Sequence, residues 1–178
     1  MKTSVFVGTS LDGFIARPDG TFDFLDAGGN EEHGYTEFFA SVDAVLIGRR
    51  TYEVVLGFGG WAYGQKPVFV LSTRPLAPAP REAVLERLCG EPAEVIATLE
   101  ARGLKHLYVD GGETIQRFLR AGLISRLVIS RVPVLIGEGI PLFGALGRDI
   151  QLRHVATRQF AGGLVQSEYE VIGTGAAP

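Results

Sequence analysis

The stretch AVLIGRRTYE, residues 44–53, decides how this chain is read. Four apolar residues run into a glycine, two arginines and a threonine. The run over residues 43–47 is too short for a helix and lacks apolar–polar alternation. It reads as a strand buried on both faces, which is the habit of parallel sheets. A short helical stretch, TYEVVL, begins at Thr51 and is ended by the GFGG cluster at residues 57–60. Cations at a helix start oppose its dipole, at a cost of roughly 0.3–1 kcal/mol. A bound anion would reverse the sign of that cost.

Working outward, the same alternation repeats. SVFVGT (residues 4–9) is a β-type run followed by a polar turn, SLDG. Residues 31–41 follow a helical period, with Tyr35, Phe38, Phe39 and Val42 on one apolar face. PVFVLS (67–72) is a strand that ends in Thr73, Arg74 and a proline-rich loop. A helix is predicted over 94–102, stopped by Gly103 in the C′ position. KHLYV (105–109) is a strand, followed by Gly111-Gly112 and a helix with Ile115, Phe118 and Leu119 on one face. A long strand is predicted over 126–136, with Pro133 at an edge or bulge because it cannot donate to a ladder. Two further strands, 152–160 and 164–172, flank Gly162-Gly163, a β-hairpin signal. The tail GTGAAP (173–178) is expected to fray. Strand–helix alternation predicts an α/β fold: a mainly parallel sheet, helices on its faces, and an antiparallel hairpin at one edge. The whole chain, 1–178, reads as one domain of ordinary size.

Composition bounds the function. Apolar residues make up 46% and charged residues 21% of the chain, and the net charge is −3. No basic stripe suggests nucleic acid, and no apolar run is long enough for a membrane span. Without signal-peptide anatomy in MKTSVFVGTS, a cytoplasmic protein is expected. The single cysteine, Cys89, reads as a partly buried small residue. The histidines His33, His106 and His154 are scattered, so no metal site is expected; His106 opens a strand and reads as structural.

Ligands of open α/β sheets sit at the carboxyl ends of strands. Three consecutive strand ends carry glycine, hydroxyl or arginine: Gly48-Arg49-Arg50-Thr51, Ser72-Thr73-Arg74 and Asp110-Gly111-Gly112-Glu113-Thr114. Helix N-termini present unpaired N–H groups, glycines let a phosphate approach, and arginines bind it bidentately. Thr51 reads either as an N-cap or as a ligand hydroxyl. Two helix starts plus a separate Ser-Thr-Arg cluster suit a dinucleotide with an additional 2′-phosphate. The G-x-G-x-x-A match at Gly57–Ala62 lacks the required strand before it and is rejected as a nucleotide fingerprint. Trp61 within it reads as a loop anchor or pocket wall.

SLDGFIA (10–16), LIGRRTYE (46–53), VLSTR (70–74), VDGGETI (109–115) and PVLIGEGIPLF (133–143) together resemble the dihydrofolate reductase superfamily. The match is nearest to the branch of the riboflavin-pathway reductase domain and its stand-alone bacterial relatives. The resemblance implies a dihydrofolate reductase-like three-layer α/β/α fold and an NADPH-dependent reductase of a small heterocycle. It implies that Gly48–Thr51 hold the cofactor pyrophosphate and that Ser72, Thr73 and Arg74 face the 2′-phosphate. By the same resemblance Gly111 and Gly112 lie against nicotinamide and pyrophosphate, often joined by a cis peptide, and Ala16 borders the nicotinamide. Asp12 of SLDG and Asp110, in place of the branch's usual Glu, are the candidate catalytic or substrate-orienting acids. No acid of the first helix, Glu32 or Glu37, aligns with the pterin-fixing acid of true dihydrofolate reductases. The basic residue that usually follows SLDG in the riboflavin branch is Phe14 here. A homodimer is expected by resemblance. The alternative is a nucleotide-binding protein that keeps the pocket with little or no turnover.

Overall fold

The computed structural model describes residues 1–29 and 31–172; the tail expected to fray lies outside the described residues. The elements are β1 (Lys2–Thr9), β2 (Phe14–Ala16), a 3-10 helix (Asp23–Gly28), α1 (Tyr35–Ser41), β3 (Ala44–Gly48), α2 (Arg49–Leu56), β4 (Val68–Leu71) and β5 (Leu85–Leu88). They continue with α3 (Pro92–Ala101), β6 (His106–Asp110), α4 (Gly112–Arg120), β7 (Arg126–Arg131), β8 (Ile140–Pro141), β9 (Leu152–Gln159) and β10 (Val165–Val171).

Eight strands form one sheet in the order β5-β4-β3-β6-β1-β7-β10-β9. The six from β5 to β7 run parallel, and β10 and β9 close the other edge as an antiparallel hairpin. A separate two-stranded sheet pairs β2 with β8. The expected α/β architecture is therefore present.

The central strand β3 shows why helices cover both faces. Side chains alternate across a strand, and Ala44 and Leu46 pack with Val95, Leu99, Ile115 and Phe118 of α3 and α4. Val45 and Ile47 pack on the other face with Phe38, Tyr52 and Val55 of α1 and α2. Every apolar residue of β3 is wholly buried, which is what its unbroken apolar run predicts. A third cluster, Phe24, Val132 and Leu164, sits beneath the hairpin.

Several expectations are corrected. The apolar runs do not foresee β5; its sequence LERL carries charge because it is an edge strand, only partly covered. α1 begins at Tyr35, not at residue 31, because Gly34 has φ +83° and cannot lie in the helix. The Glu32 carboxylate instead accepts N–H bonds from Gly34 and Thr36, 2.6 and 2.9 Å. At the other end of α1, Lys66 Nζ donates to the carbonyls of Phe39 and Val42, a cation where the dipole favours one. The helix of Tyr35 is thus held at both ends. β7 stops at Arg131, two residues before Pro133.

α2 begins at Arg49 with Gly48 as its N-cap, so Thr51 lies inside the helix and does not cap it. Cys89 is exposed. Trp61 packs edge-on against Tyr52 and Tyr63 as a loop anchor. His106 is structural: its ring nitrogens bond to Ser41 O and Ser4 Oγ, 2.9 and 2.8 Å. All peptide bonds among the described residues are trans, including Gly111–Gly112.

Candidate active site

The carboxyl ends of β1, β3, β4 and β6 open onto one cleft of about 1380 Å³. Single-ligand pockets occupy roughly 300–1,000 Å³, so this one has room for two ligands. Gly48, Arg49, Arg50 and Thr51 line it from the start of α2, and Ser72, Thr73 and Arg74 from the turn after β4. Asp110, Gly111, Gly112, Glu113 and Thr114 line it from the end of β6 and the start of α4, and Ala16 from β2.

The two helix starts are built alike. Both α2 and α4 have glycine N-caps and no side-chain capping bond. Their first backbone N–H groups therefore have no side-chain cap where they border the cleft. α3 contrasts with them, since Glu91 and Glu94 close a reciprocal capping box there. The two ends also interlock. A β-carbon on Gly111 would overlap Thr51 Oγ1, and one on Gly48 would lie 2.8 Å from Thr114 Oγ1. Each helix thus fills the space above the other's glycine with its own threonine. Gly111 additionally has φ +89°, a conformation that side chains rarely adopt.

The cations are differently engaged. Arg49 Nε pairs with Glu53 at 2.8 Å, whereas Arg50 has no ion pair among the described residues. Arg74 stands exposed on a turn that Ser72 closes, its hydroxyl donating to Arg74 O at 2.7 Å. Arg117 of α4 also borders the cleft and donates weakly to Gly90 O, 3.4 Å. The Cys89–Glu91 turn escapes a reading of the sequence because β5 does, and Arg117 because it lies within α4 and not at a strand end.

Asp110 is half-buried at the cleft floor. Burial pushes its carboxyl up to about 6, against the opposing pull of the Gly111 N–H and the Tyr108 hydroxyl. The Gly111 N–H donates to Oδ1 at 2.7 Å. Around this acid stand rings that sequence pattern assigns to core or to no role: Phe6, Tyr35, Tyr63 and Tyr108. Period-two alternation could have found Tyr108, because it lies on the same face of β6 as Asp110. The helical period puts Tyr35 on one apolar face with Phe38, Phe39 and Val42; Phe38 and Val42 are core, while Tyr35 is 37% exposed.

Asp12 does not join the others. Its carboxylate accepts N–H bonds from Gly137 and Ile136, 2.8 and 3.3 Å, outside the cleft wall. A hydrogen bond from Ser10 does most to hold its carboxyl below the ordinary range. Gly13 beside it has φ +87°, so SLDG is a turn that pins the loop after β7. Asp12→Asn is expected to change a single-turnover rate by no more than about threefold while lowering the thermal midpoint. A large rate loss with an unchanged midpoint would contradict this placement.

Among the described residues no three His, Cys, Asp or Glu side chains come together as a metal site, and no helix is long and apolar enough to cross a membrane.

Known proteins resemble this chain in sequence and fold. The Bacillus subtilis (strain 168) protein YwjB is 34% identical over 172 residues, covering 94% of this chain and 97% of its own. The crystal structure of a Shewanella sp. PV-4 protein named for riboflavin biosynthesis superposes with a TM-score of 0.91 at 38% identity, covering 97% of this chain and 99% of its own. Dihydrofolate reductase from Enterococcus faecalis, complexed with NADP(H), gives a TM-score of 0.63 at 14% identity and covers 96% of each chain, a likeness of fold. The sequence profile of the RibD C-terminal domain matches residues 2–166. That span runs through every strand end that walls the cleft, and the chain belongs to the RibD C-terminal domain family, built on the dihydrofolate reductase-like fold.

Proposed function

We propose that the protein is an NADPH-dependent reductase of a small heterocyclic substrate, related to 5-amino-6-(5-phosphoribosylamino)uracil reductase and dihydrofolate reductase. One observation carries this reading. Two helix N-termini without side-chain caps and a group of arginines stand in the same cleft as a carboxyl that burial raises to about 6. The first part suits a dinucleotide, the second a proton donor.

The residues fit the cofactor. Gly48, Thr51, Gly111, Gly112, Glu113 and Thr114 border the cleft at two helix starts whose first N–H groups carry no side-chain cap and face an anion favourably. With Arg49 and Arg50 they would hold the pyrophosphate. Ser72, Thr73 and Arg74 would hold the 2′-phosphate, and Ala16 would border the nicotinamide. When bound, that group supplies hydride. The protein supplies the rest. Asp110 holds its proton up to about pH 6 because its anion is poorly solvated. Its Oδ1 is fixed by Gly111 N–H, leaving Oδ2 to pass the proton to the nitrogen or oxygen of a C=N or C=O group. Asp12 is a positioning residue in this scheme. It holds the loop after β7, which continues to β8, and Ile140 of β8 pairs with Ala16 on the cleft wall.

Binding of NADPH and NADH, followed by stopped-flow oxidation of NADPH against a panel of pterins and ribosylaminopyrimidines, tests the reading. A preference for NADPH is expected. Arg74→Ala should weaken NADPH binding about 10–100-fold, the loss of one or two charge-assisted bonds, and leave NADH unchanged. Equal affinities in the parent protein would remove the 2′-phosphate assignment. Binding without turnover of any substrate would favour the nucleotide-binding alternative. A cytoplasmic homodimer belongs to the same reading. The exposed edge strand β9, with Leu152 and Val155 uncovered, supports self-association, and light scattering in solution tests it.

A further inference from the structure

The cleft is chemically divided. Its arginines, Arg49, Arg50, Arg74 and Arg117, all come from α2, α4 and the turn after β4. The other half is walled by Phe6, Tyr35, Tyr63 and Tyr108, with Asp110 as the acid among them. Phe6 and Tyr35 meet edge to face at 5.5 Å, and Tyr35 and Tyr108 at 6.4 Å. The phenols of Tyr35, Tyr63 and Tyr108 all feel the charge of Asp110.

Their hydroxyls differ in one respect. Tyr108 donates to Phe6 O at 2.8 Å. Tyr35 and Tyr63 have no hydrogen-bond partner among the described residues, and neither hydroxyl is sealed from the cleft. Two donors are thus left for a ligand, on rings whose faces and edges offer stacking.

A phosphate in this half would meet aromatic walls and a carboxyl, with no lining arginine or lysine to pair it. Removing a doubly charged group from water without a partner is costly. The cations behind these rings do not line the cleft: Lys66 lies over Phe39 and donates to the carbonyls of Phe39 and Val42, Arg126 lies over Phe38 and pairs with Glu168, and Arg158 approaches Gly34. We propose that the second ligand is an uncharged planar heterocycle without a phosphate group, and that the Tyr35 and Tyr63 hydroxyls select it by hydrogen bonds to its edge. This rests on the reductase reading and narrows its substrate class. It separates the chain from reductases whose substrate carries a phosphoribosyl group.

Two matched pairs of probes test it: riboflavin against riboflavin 5′-phosphate, and 5-amino-6-ribosylaminouracil against its 5′-phosphate. Binding is measured by fluorescence quenching or calorimetry, on the protein alone and on the protein saturated with NADP⁺. The phosphate-free member of each pair should bind at least about tenfold more tightly. Tyr35→Phe and Tyr63→Phe should each weaken it about three- to tenfold with dinucleotide affinity unchanged. Tyr35→Lys, which places a cation at the cleft wall, should shift the preference towards the phosphorylated member.

Equal or tighter binding of the phosphorylated member in either pair overturns the proposal, as does failure of all four probes to bind. Unchanged binding in both Phe variants overturns the role of the hydroxyls. Failure of NADPH to bind overturns the reductase reading instead, and the probe titrations of the protein alone still report on the aromatic half.

Discussion

Asp110→Asn is expected to slow hydride transfer about 10²–10⁴-fold, the span of a lost general acid, and to make the fold more stable at pH 8. Both effects have one cause. Burial favours the neutral carboxyl, so the folded protein holds this proton up to about pH 6, against 3.8 for an unperturbed aspartate. Below pH 3.8 both folded and unfolded chains are protonated and the group's contribution is fully present. Between the two values the unfolded chain releases its proton more readily, so stability falls as pH rises. Above about 6 the loss is complete, on the order of 2–3 kcal/mol.

Asparagine keeps the acceptor for the Gly111 N–H and lacks the ionisation, so the variant should lose this slope. Urea unfolding between pH 4.5 and 8, set beside single-turnover rates, measures both consequences. The wild-type rate should fall about tenfold per pH unit above 6 as the proton is lost. An unchanged rate in the variant would remove Asp110 as the donor; parallel stability profiles would show that its carboxyl is not held neutral by the fold.

Much of this site is legible in the amino-acid sequence, for a physical reason. Strands buried on both faces leave unbroken apolar runs, and the residue where a run stops marks the ligand edge. Ile47 to Gly48, Leu71 to Ser72 and Val109 to Asp110 are such stops, and all three lie on the cleft. What escapes lacks that signal. β5 is paired on one side only and carries Glu86 and Arg87 outward, so neither burial nor alternation marks it. Tyr35 obeys the helical period of the core residues around it and yet faces a cavity; periodicity gives a direction and cannot say whether protein or ligand fills it. Asp12 and Asp110 look alike as acids beside glycines. Only the fold shows that one meets backbone N–H groups of a distant loop and the other a desolvated cleft floor.

Gly111→Ala should be the most destabilising single methyl in the site. Two penalties meet at this position. The backbone has φ +89° and ψ 128°, a region that β-carbons disfavour, at about 1–3 kcal/mol. The added carbon also overlaps Thr51 Oγ1, and overpacking of that kind costs about 1–3 kcal/mol. Thr51 cannot yield easily, because it sits inside α2, whose Tyr52 and Val55 are locked in the core. The overlap would instead part the two helix starts and widen the cradle between them.

The expected result is a loss of roughly 2–6 kcal/mol of stability, with NADPH affinity falling in whatever fraction remains folded. Thr51→Ala separates the two causes. Combined with Gly111→Ala it should restore the overlap share and leave the backbone share, so the double variant unfolds between Gly111→Ala and wild type. Denaturant unfolding of the four proteins reads the coupling directly. Simple additivity would mean that the two helix starts are not seated on each other. A stable Gly111→Ala protein with wild-type NADPH affinity would remove this glycine from the cofactor cradle.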